Sequence, residues 1–352
     1  MLFKSIKESF MSLMDKLIKS GTVKTSALLS ESIYFTDKDI VTTNLPILNI
    51  AFSGAVDGGL VPGLTVFAGA SKSFKTLLGL YCMKAYFNKY PDAVALFYDS
   101  EFGVTPEYLT SNGIDTNKVI HIPIEHIEQL KFDIVKRLEQ IERGDHVFIM
   151  IDSLGALSSK KEIDDANDEK SVSDMTRAKS IRSLNRIITP HLTMKDLPCI
   201  VVNHIYQTME LYSKSVISGG TSIIYSANQA FIISRSQEKD GTEVVGWNFT
   251  INVEKSRFVR EKSKLTFMVN YEEGINKWSG LMDLALEFNF VIKPSNGWYS
   301  IVGQEDKKYR LADTMNEAFW KPILDDEKFR QAVKAKFQLA NGMINNLEGD
   351  DA

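Results

Sequence analysis

Three short stretches carry residue types that together handle a polyphosphate. The first, Gly69-Ala70-Ser71-Lys72-Ser73-Phe74-Lys75-Thr76, follows the pattern G-x5-K-T. In such a loop, successive backbone N–H groups and a helix N-terminus converge on phosphate oxygens. The lysine neutralises the β- and γ-phosphates and the hydroxyl ligates Mg²⁺, roles that fall here to Lys75 and Thr76. The usual pattern has a second glycine before the lysine, and Phe74 stands in its place. The looser spacing arises by chance in roughly one chain of this length in five, so its setting must carry the argument. The second stretch, His146-Val147-Phe148-Ile149-Met150-Ile151-Asp152-Ser153, is an apolar run ending in a carboxylate. At the carboxyl edge of a parallel sheet, that Asp152 reaches the Mg²⁺ shell. The third runs through Ala93–Tyr98 into Asp99-Ser100-Glu101. A carboxylate there can orient or deprotonate the attacking water, which makes Glu101 the candidate general base.

These residues work only if a parallel sheet aligns them. Apolar runs at Leu64–Ala68, Ala93–Tyr98, Val119–His121, Val147–Ile151, Ile200–Asn203 and Phe231–Ser234 alternate with helical stretches. In one of these, Ile127, Leu130, Ile134, Leu138 and Ile141 hold a helical face. Buried runs separated by helices predict an α/β fold with a mostly parallel sheet covered on both sides. Leu64–Ala68 enters the phosphate loop, and Leu78, Tyr81, Cys82 and Ala85 give the next segment a helical face. Strand, loop and helix in that order, with the Asp152 strand downstream, make a P-loop ATPase the strong reading, with ATP and Mg²⁺ as cofactors.

Past residue 245 the period changes. Trp247, Phe249, Ile251 and Val253 alternate with polar residues, as do Leu265, Phe267 and Val269, which predicts an antiparallel extension of the sheet. A helix near 280–289 follows, then a short segment at Gly297-Trp298-Tyr299, then helical patterning from about 313 to 346. At the other end, Phe3, Ile6, Phe10, Leu13 and Leu17 mark an amphipathic helix that Gly21 ends.

Net charge is −4, so bulk charge does not announce a nucleic-acid binder, and any DNA contact must be local. The two cysteines, Cys82 and Cys199, sit among apolar neighbours and read as reduced core thiols. The scattered histidines and absence of CxxC argue against a structural metal. No apolar run reaches membrane-span length, and the charged start argues against a signal peptide, which gives a cytoplasmic expectation.

The stretches GASKSFKT, LFYDSEFGVTPEYL, FIMIDSLGAL, VSDMTRAKS, CIVVNHIYQT, SGGTSIIYSAN and VEKSRFVREKSK, running from 69 to 264, resemble the RecA family of recombinases. Within it the likeness is greatest to the UvsX recombinases of tailed phages, where a Phe before the loop lysine is also found. The resemblance implies a RecA-like core over 41–275 with two DNA-binding loops, an N-terminal oligomerisation segment over 1–40, and an α-rich region over 276–352. It implies that Glu101 activates water, that Tyr108 stacks on adenine with Thr105 near its edge, and that His204 senses the γ-phosphate. It further implies that Lys255 and Arg257 reach ATP bound to the neighbouring subunit, so that hydrolysis depends on assembly.

The loops implied are about 156–172 and 205–221. Arg177, Lys179, Arg182 and Arg186 follow the first; Tyr206, Tyr212, Lys214, Gly219 and Gly220 belong to the second. Cations for phosphates and aromatics for bases suit single-strand binding without sequence preference. Asp164, Asp165, Asp168 and Glu169 in the first loop are unexpected against a phosphate backbone. The activity implied is ATP-dependent strand exchange by a filament on single-stranded DNA. Its implied partners are duplex DNA, further copies of the chain, a phage single-strand-binding protein and a recombination mediator. If phage-encoded, it would act in the cytoplasm of the infected host. Two other readings of the same site are a ring helicase on this core and an ATP-gated regulatory protein that does not bind DNA.

Overall fold

The computed structural model describes residues 13–34, 39–168, 176–208, 215–271 and 274–339. Phe3, Ile6 and Phe10 of the expected first helix lie outside these, as do Glu169, Tyr212, Lys214 and the end of the expected last helix. The chain divides into two compact units after Lys38. In the first, residues 13–20 are helical (α1) and the helix stops before Gly21.

The second unit begins with α2 (Pro46–Ser53), and β1 (Gly63–Gly69) then leads through the phosphate loop into α3 (Lys75–Lys89). Next come β2 (Val94–Asp99), α4 (Pro106–Ser111), β3 (Val119–Pro123), α5 (Ile127–Gln140) and β4 (Val147–Asp152). After these, α6 (Lys160–Asn167) and α7 (Thr176–Met194) precede β5 (Pro198–Asn203), the short strands β6 (Ile205–Gln207) and β7 (Ser215–Ile217), and α8 (Thr221–Ser226). The long strands β8 (Gln229–Asp240), β9 (Glu243–Ser256) and β10 (Lys264–Asn270) follow, with a short β11 (Gly274–Ile275). The chain continues through α9 (Leu281–Glu287), the hairpin β12 (Val291–Ser295) and β13 (Trp298–Ile301), α10 (Glu317–Leu324) and α11 (Glu327–Phe337).

One sheet holds the strands in the order β11-β10-β9-β8-β1-β5-β4-β2-β3. From β8 to β3 the neighbours are parallel, and β9, β10 and β11 extend the sheet antiparallel. Each of the six expected apolar runs falls on one of the parallel strands, except that Ala93 lies just before β2. The expected alternation is also met: Phe249 faces Phe267 and Ile251 faces Leu265 across β9 and β10, and all four are buried.

An apolar cluster lies on each face of the sheet. One joins α2 and α3 to Phe67, Phe231, Phe249 and Phe267 and takes in Trp278, Phe319, Trp320 and Phe329 from the C-terminal helical region. The other packs the Ile127-Leu130-Ile134-Leu138 face of α5 and the Ile181-Leu184-Ile188 face of α7 against β4 and β5. The short segment at Gly297-Trp298-Tyr299 is the turn and second strand of the β12–β13 hairpin.

The two expected loops contain regular structure. In the first, Ser159 accepts from the Glu162 N–H while the Glu162 carboxylate accepts from the Ser159 N–H, a capping box that starts α6. Of the acids in that loop, Asp165 pairs with Lys161 one helical turn away, and Asp164 and Asp168 face outward. In the second, β6 and β7 pair as an antiparallel ribbon, with Tyr206 opposite Val216. Among the described residues, no helix is long and apolar enough to cross a membrane.

Candidate active site

Parallel pairing brings the carboxyl ends of β1, β5, β4 and β2 side by side, and each end carries a predicted residue. Asp99 lies opposite Asp152 in the β2–β4 register, and Ala68 lies opposite Asn203 in the β1–β5 register. Ligands bind beyond such strand ends. A cleft of about 410 Å³ opens there, lined by Ser71, Lys72, Ser73, Phe74, Lys75, Thr76, Glu101, Tyr108, Asp152 and His204 among others.

The phosphate loop is constrained at both ends. Gly69 has no room for a side chain, since a Cβ would stand 2.6 Å from the Ile233 carbonyl and from the Ser73 hydroxyl. Phe74, in the place of the usual second glycine, takes the left-handed backbone that glycine favours (φ 62°). For a residue with a Cβ that conformation costs about 1–2 kcal/mol. Its ring packs against Phe249, centroids 4.5 Å apart, and the apolar contact offsets the cost.

Lys75 is buried and donates to the Ala70 carbonyl (2.8 Å) and more weakly to Ser73 Oγ (3.3 Å). Burial pulls its pKa down, while Glu101 and Asp152 pull it up less strongly. The ammonium thus sits inside the loop's curl, held by the Ala70 carbonyl and Ser73, within the field of the Glu101 and Asp152 carboxylates.

Thr76 Oγ1 donates to Asp152 Oδ2 (2.7 Å). Asp152 is buried, and its other oxygen, Oδ1, has no partner among the described residues. Burial pushes the carboxyl up to about 6, helped by Glu101 and Asp99 and opposed by the Thr76 hydrogen bond. An orphaned carboxylate oxygen next to a threonine hydroxyl is a hard-oxygen donor set that suits Mg²⁺ shared with a phosphate. Among the described residues, no three His, Cys, Asp or Glu group as a metal site on their own.

Glu101 is set by a turn locked to the sheet. Asp99 Oδ1 accepts from the N–H groups of Glu101 (3.0 Å) and Phe102 (2.8 Å). Ser100 Oγ donates to the Ser153 carbonyl (2.9 Å) and accepts from the Ser153 N–H (3.0 Å), which ties the β2 end to the β4 end. The Glu101 carboxylate accepts from Ser153 Oγ (2.5 Å), and His204 Nε2 lies 3.0 Å from the same oxygen. The candidate base and the candidate sensor are therefore in direct contact.

His204 leads onward. Its carbonyl accepts from the Ser218 N–H (2.9 Å), while Asn203 Nδ2 donates to the Ser218 carbonyl (2.9 Å). Ser218 immediately precedes Gly219 and Gly220, both with positive φ, at the entry to α8.

The remaining predicted residues are placed as follows. Tyr108, on α4, lines the cleft with burial raising its pKa, and Thr105 Oγ1 caps α4 by accepting from the Tyr108 N–H. Lys255 and Arg257 lie at the end of β9, outside the cleft lining. Lys255 donates to the carbonyls of Ile224 (2.7 Å) and Tyr225 (2.8 Å) at the end of α8, and burial lowers its pKa. Arg257 is exposed. Lys179, Arg182, Arg186 and Tyr206 are exposed as well. Arg177, expected among the DNA-binding cations, has its guanidinium turned onto backbone carbonyls.

Several participants were not visible in sequence. Ser100 and Ser153 reveal themselves only through the β2–β4 register. Arg235, whose Nη1 donates to the Lys72 carbonyl (3.1 Å), reaches the loop from a distant strand, with its guanidinium stacked over Trp247.

A phosphate loop, a strand-end Asp and a strand-end Glu on neighbouring parallel strands define a P-loop ATPase core of the RecA-like kind. The family described as RecA N-terminal domain matches residues 8–276. The family described as Bacteriophage T4, Recombination and repair protein, C-terminal domain matches residues 278–333. The chain is 50 % identical to the recombination and repair protein of Enterobacteria phage T4 over 345 residues, covering 96 % of this chain and 88 % of the relative. To Protein RecA of Streptomyces rimosus it is 29 % identical over 271 residues, 76 % of this chain and 69 % of that one. To Protein RecA of Kineococcus radiotolerans it is 28 % identical over 252 residues, 70 % of each. The chain belongs to the RecA family of recombinases, on its UvsX branch.

Proposed function

We propose that this recombinase binds ATP and Mg²⁺ in the strand-end cleft, polymerises on single-stranded DNA and exchanges that strand into a homologous duplex. The observation that carries the proposal is the contact of Glu101 with His204, whose own backbone holds Ser218 at the root of the second loop. A group that touches the triphosphate and a segment that touches DNA are then parts of one hydrogen-bonded unit.

The residue roles follow from position. Gly69, Ala70, Ser71, Lys72, Ser73 and Phe74 form the loop that wraps the phosphates, with Lys75 as counter-charge. Thr76 and Asp152 hold Mg²⁺, which when bound screens phosphate charge. Glu101 takes a proton from the attacking water. Tyr108 packs on the base, with Thr105 fixing α4 beneath it. Lys255 and Arg257 act across the subunit interface, so Lys255 must leave the carbonyls it holds in the single protomer. Lys179, Arg182, Tyr206, Tyr212, Lys214, Gly219 and Gly220 line the path of the strand.

Residues 1–40 serve as the oligomerisation segment, with Leu13 and Leu17 as exposed apolar positions on its helix. Residues 41–275 form the ATPase core and 276–352 a C-terminal region. Hydrolysis yields ADP, and AMP as a second product, and weakens the hold on DNA. A single-strand-binding protein and a loading mediator are the further partners, in the cytoplasm of an infected host.

ATP hydrolysis by the purified protein, measured with and without single-stranded DNA, tests the proposal. A large DNA-dependent rise is expected, followed by strand exchange between homologous substrates. A rate indifferent to DNA contradicts it, and duplex unwinding without exchange points to a ring helicase instead.

A further inference from the structure

Arg177 stands apart from the other cations of α7. Lys179, Arg182 and Arg186 are exposed, and their side chains make no hydrogen bond or ion pair with the described residues. Arg177 turns the other way. Its Nε donates to the Leu157 carbonyl (2.8 Å) and its Nη2 to the Gly155 carbonyl (2.8 Å). Longer approaches join Nη2 to the Leu154 carbonyl (3.4 Å) and Nη1 to Ser218 Oγ (3.5 Å).

These acceptors belong to two different roots. Leu154, Gly155 and Leu157 lead out of β4, directly after Asp152, toward α6. Ser218 lies between β7 and Gly219. Both roots are also fastened to the sensing strand, because the Leu154 N–H donates to the Val202 carbonyl (3.0 Å) and Ser218 bonds to Asn203 and His204. Gly155 leaves no alternative filling, since a Cβ there would lie 2.6 Å from the His204 ring and 2.7 Å from Asn203 Oδ1. A guanidinium presents donors in a rigid fork that can span separate acceptors. Rotating it out toward a DNA phosphate would strip carbonyls of their donors, which is costly for buried acceptors.

We propose that Arg177 is a positioning residue that staples the root of the first DNA loop to the root of the second. A change at Glu101 and His204 then moves both loops together, and the phosphates are met by Lys179, Arg182 and Arg186. The staple rests on the DNA-stimulated ATPase proposed above.

The test uses full-length R177A, R177K and R182A. Affinity for a fluorescent single-stranded oligonucleotide is measured over a range of salt with a non-hydrolysable ATP analogue, and ATP hydrolysis is measured without DNA and at saturating DNA. Each phosphate contact adds about 0.7 to the slope of log affinity against log salt for a single strand. R182A should lose about that much slope and keep its stimulation at saturating DNA. R177A should keep the unmodified slope and the DNA-free rate while stimulation falls about tenfold, the scale of a broken coupling. R177K keeps the charge but carries its donors on one nitrogen and cannot span both roots, so it should fail to restore stimulation. It also carries the test if R177A does not fold. Loss of slope in R177A, or full rescue by R177K, would overturn the staple and make Arg177 a phosphate contact. Absence of DNA stimulation in the unmodified protein would instead overturn the parent reading, and the staple with it.

Discussion

The strand-end cleft and the two loop regions hang from the same edge of one sheet, yet they are built differently. Around the cleft the functional groups are tied to one another across strands: Thr76 to Asp152, Ser100 to Ser153, and Glu101 to both Ser153 and His204. In the loop regions the cations Lys179, Arg182 and Arg186 and the aromatic Tyr206 project outward, and the ties to the rest of the core include those at the roots, at Arg177, Glu128 and Asn203. Attack on a phosphoryl group needs atoms held within a fraction of an ångström. Holding an irregular polymer of phosphates and bases needs charge and stacking surfaces that can adapt. The difference assigns precision to the cleft and compliance to the loops, and the roots are where one is converted into the other.

The largest effect should come from the cleft. Glu101→Ala is expected to lower DNA-stimulated ATP hydrolysis by about 10²–10⁴-fold while leaving nucleotide binding in place, as followed by a fluorescent ATP analogue. Equal loss of binding and hydrolysis would mean that Glu101 holds the loop together and does not act on water.

A second prediction separates ring from backbone at Phe74. Phe74→Ala removes the contact with Phe249 but leaves a Cβ in the left-handed conformation; Phe74→Gly removes both. Chemical denaturation should therefore find Phe74→Gly more stable than Phe74→Ala by about 1 kcal/mol. The reverse order would deny that the loop holds this residue in a glycine-like conformation.

A smaller effect is expected at the roots. The Glu128 carboxylate accepts from Ser180 Oγ on α7 (2.6 Å) and from the Lys160 N–H at the start of α6 (2.9 Å). Burial pushes this carboxyl up, but the hydrogen bonds from Ser180, Lys160 and His126 outweigh it and hold its pKa below the ordinary glutamate value. A depressed carboxyl pKa stabilises the fold above the ordinary value of about 4.3 and loses that contribution as pH falls through the folded pKa. Glu128→Gln should cost about 1 kcal/mol near neutrality, and its difference from the unmodified protein should shrink as pH is lowered past 4.3. A difference that persists at low pH would mean that shape and not charge is what α6 and α7 require.

How much of this was legible in the sequence follows from the same contrast. The parallel strands, the phosphate loop and the strand-end carboxylates were readable because burial on both faces leaves continuous apolar runs that stop at functional residues. The antiparallel extension and its buried face were readable from alternation, whereas the register that sets Phe249 opposite Phe267 comes from the structure. The pairing of Ser100 with Ser153 was not, because it depends on which strand ends become neighbours, and β5 and β4 are inserted between β1 and β2. Arg235 at the Lys72 carbonyl was hidden for the same reason. The helix α6 has Ser159 and Glu162 in capping-box spacing, a signal passed over because the resemblance implied a loop over 156–172. Arg177 only precedes the stripe of Lys179, Arg182 and Arg186; it falls at helical spacing with the buried Ile181, Leu184 and Ile188, and the positions of Leu157 and Gly155 show what it meets there.

The central claim is that the cleft and the DNA loops form one coupled unit through Glu101, His204 and Ser218, and linkage tests it most directly. Single-stranded DNA affinity would be measured with a non-hydrolysable ATP analogue and with ADP, in the unmodified protein and in His204→Ala. The account predicts about 5–150-fold tighter DNA binding with the analogue, the same factor in the preference of DNA-bound protein for the analogue over ADP, and its collapse in His204→Ala. DNA affinity that is equal with both nucleotides, or a preference that survives in His204→Ala unchanged, would contradict it.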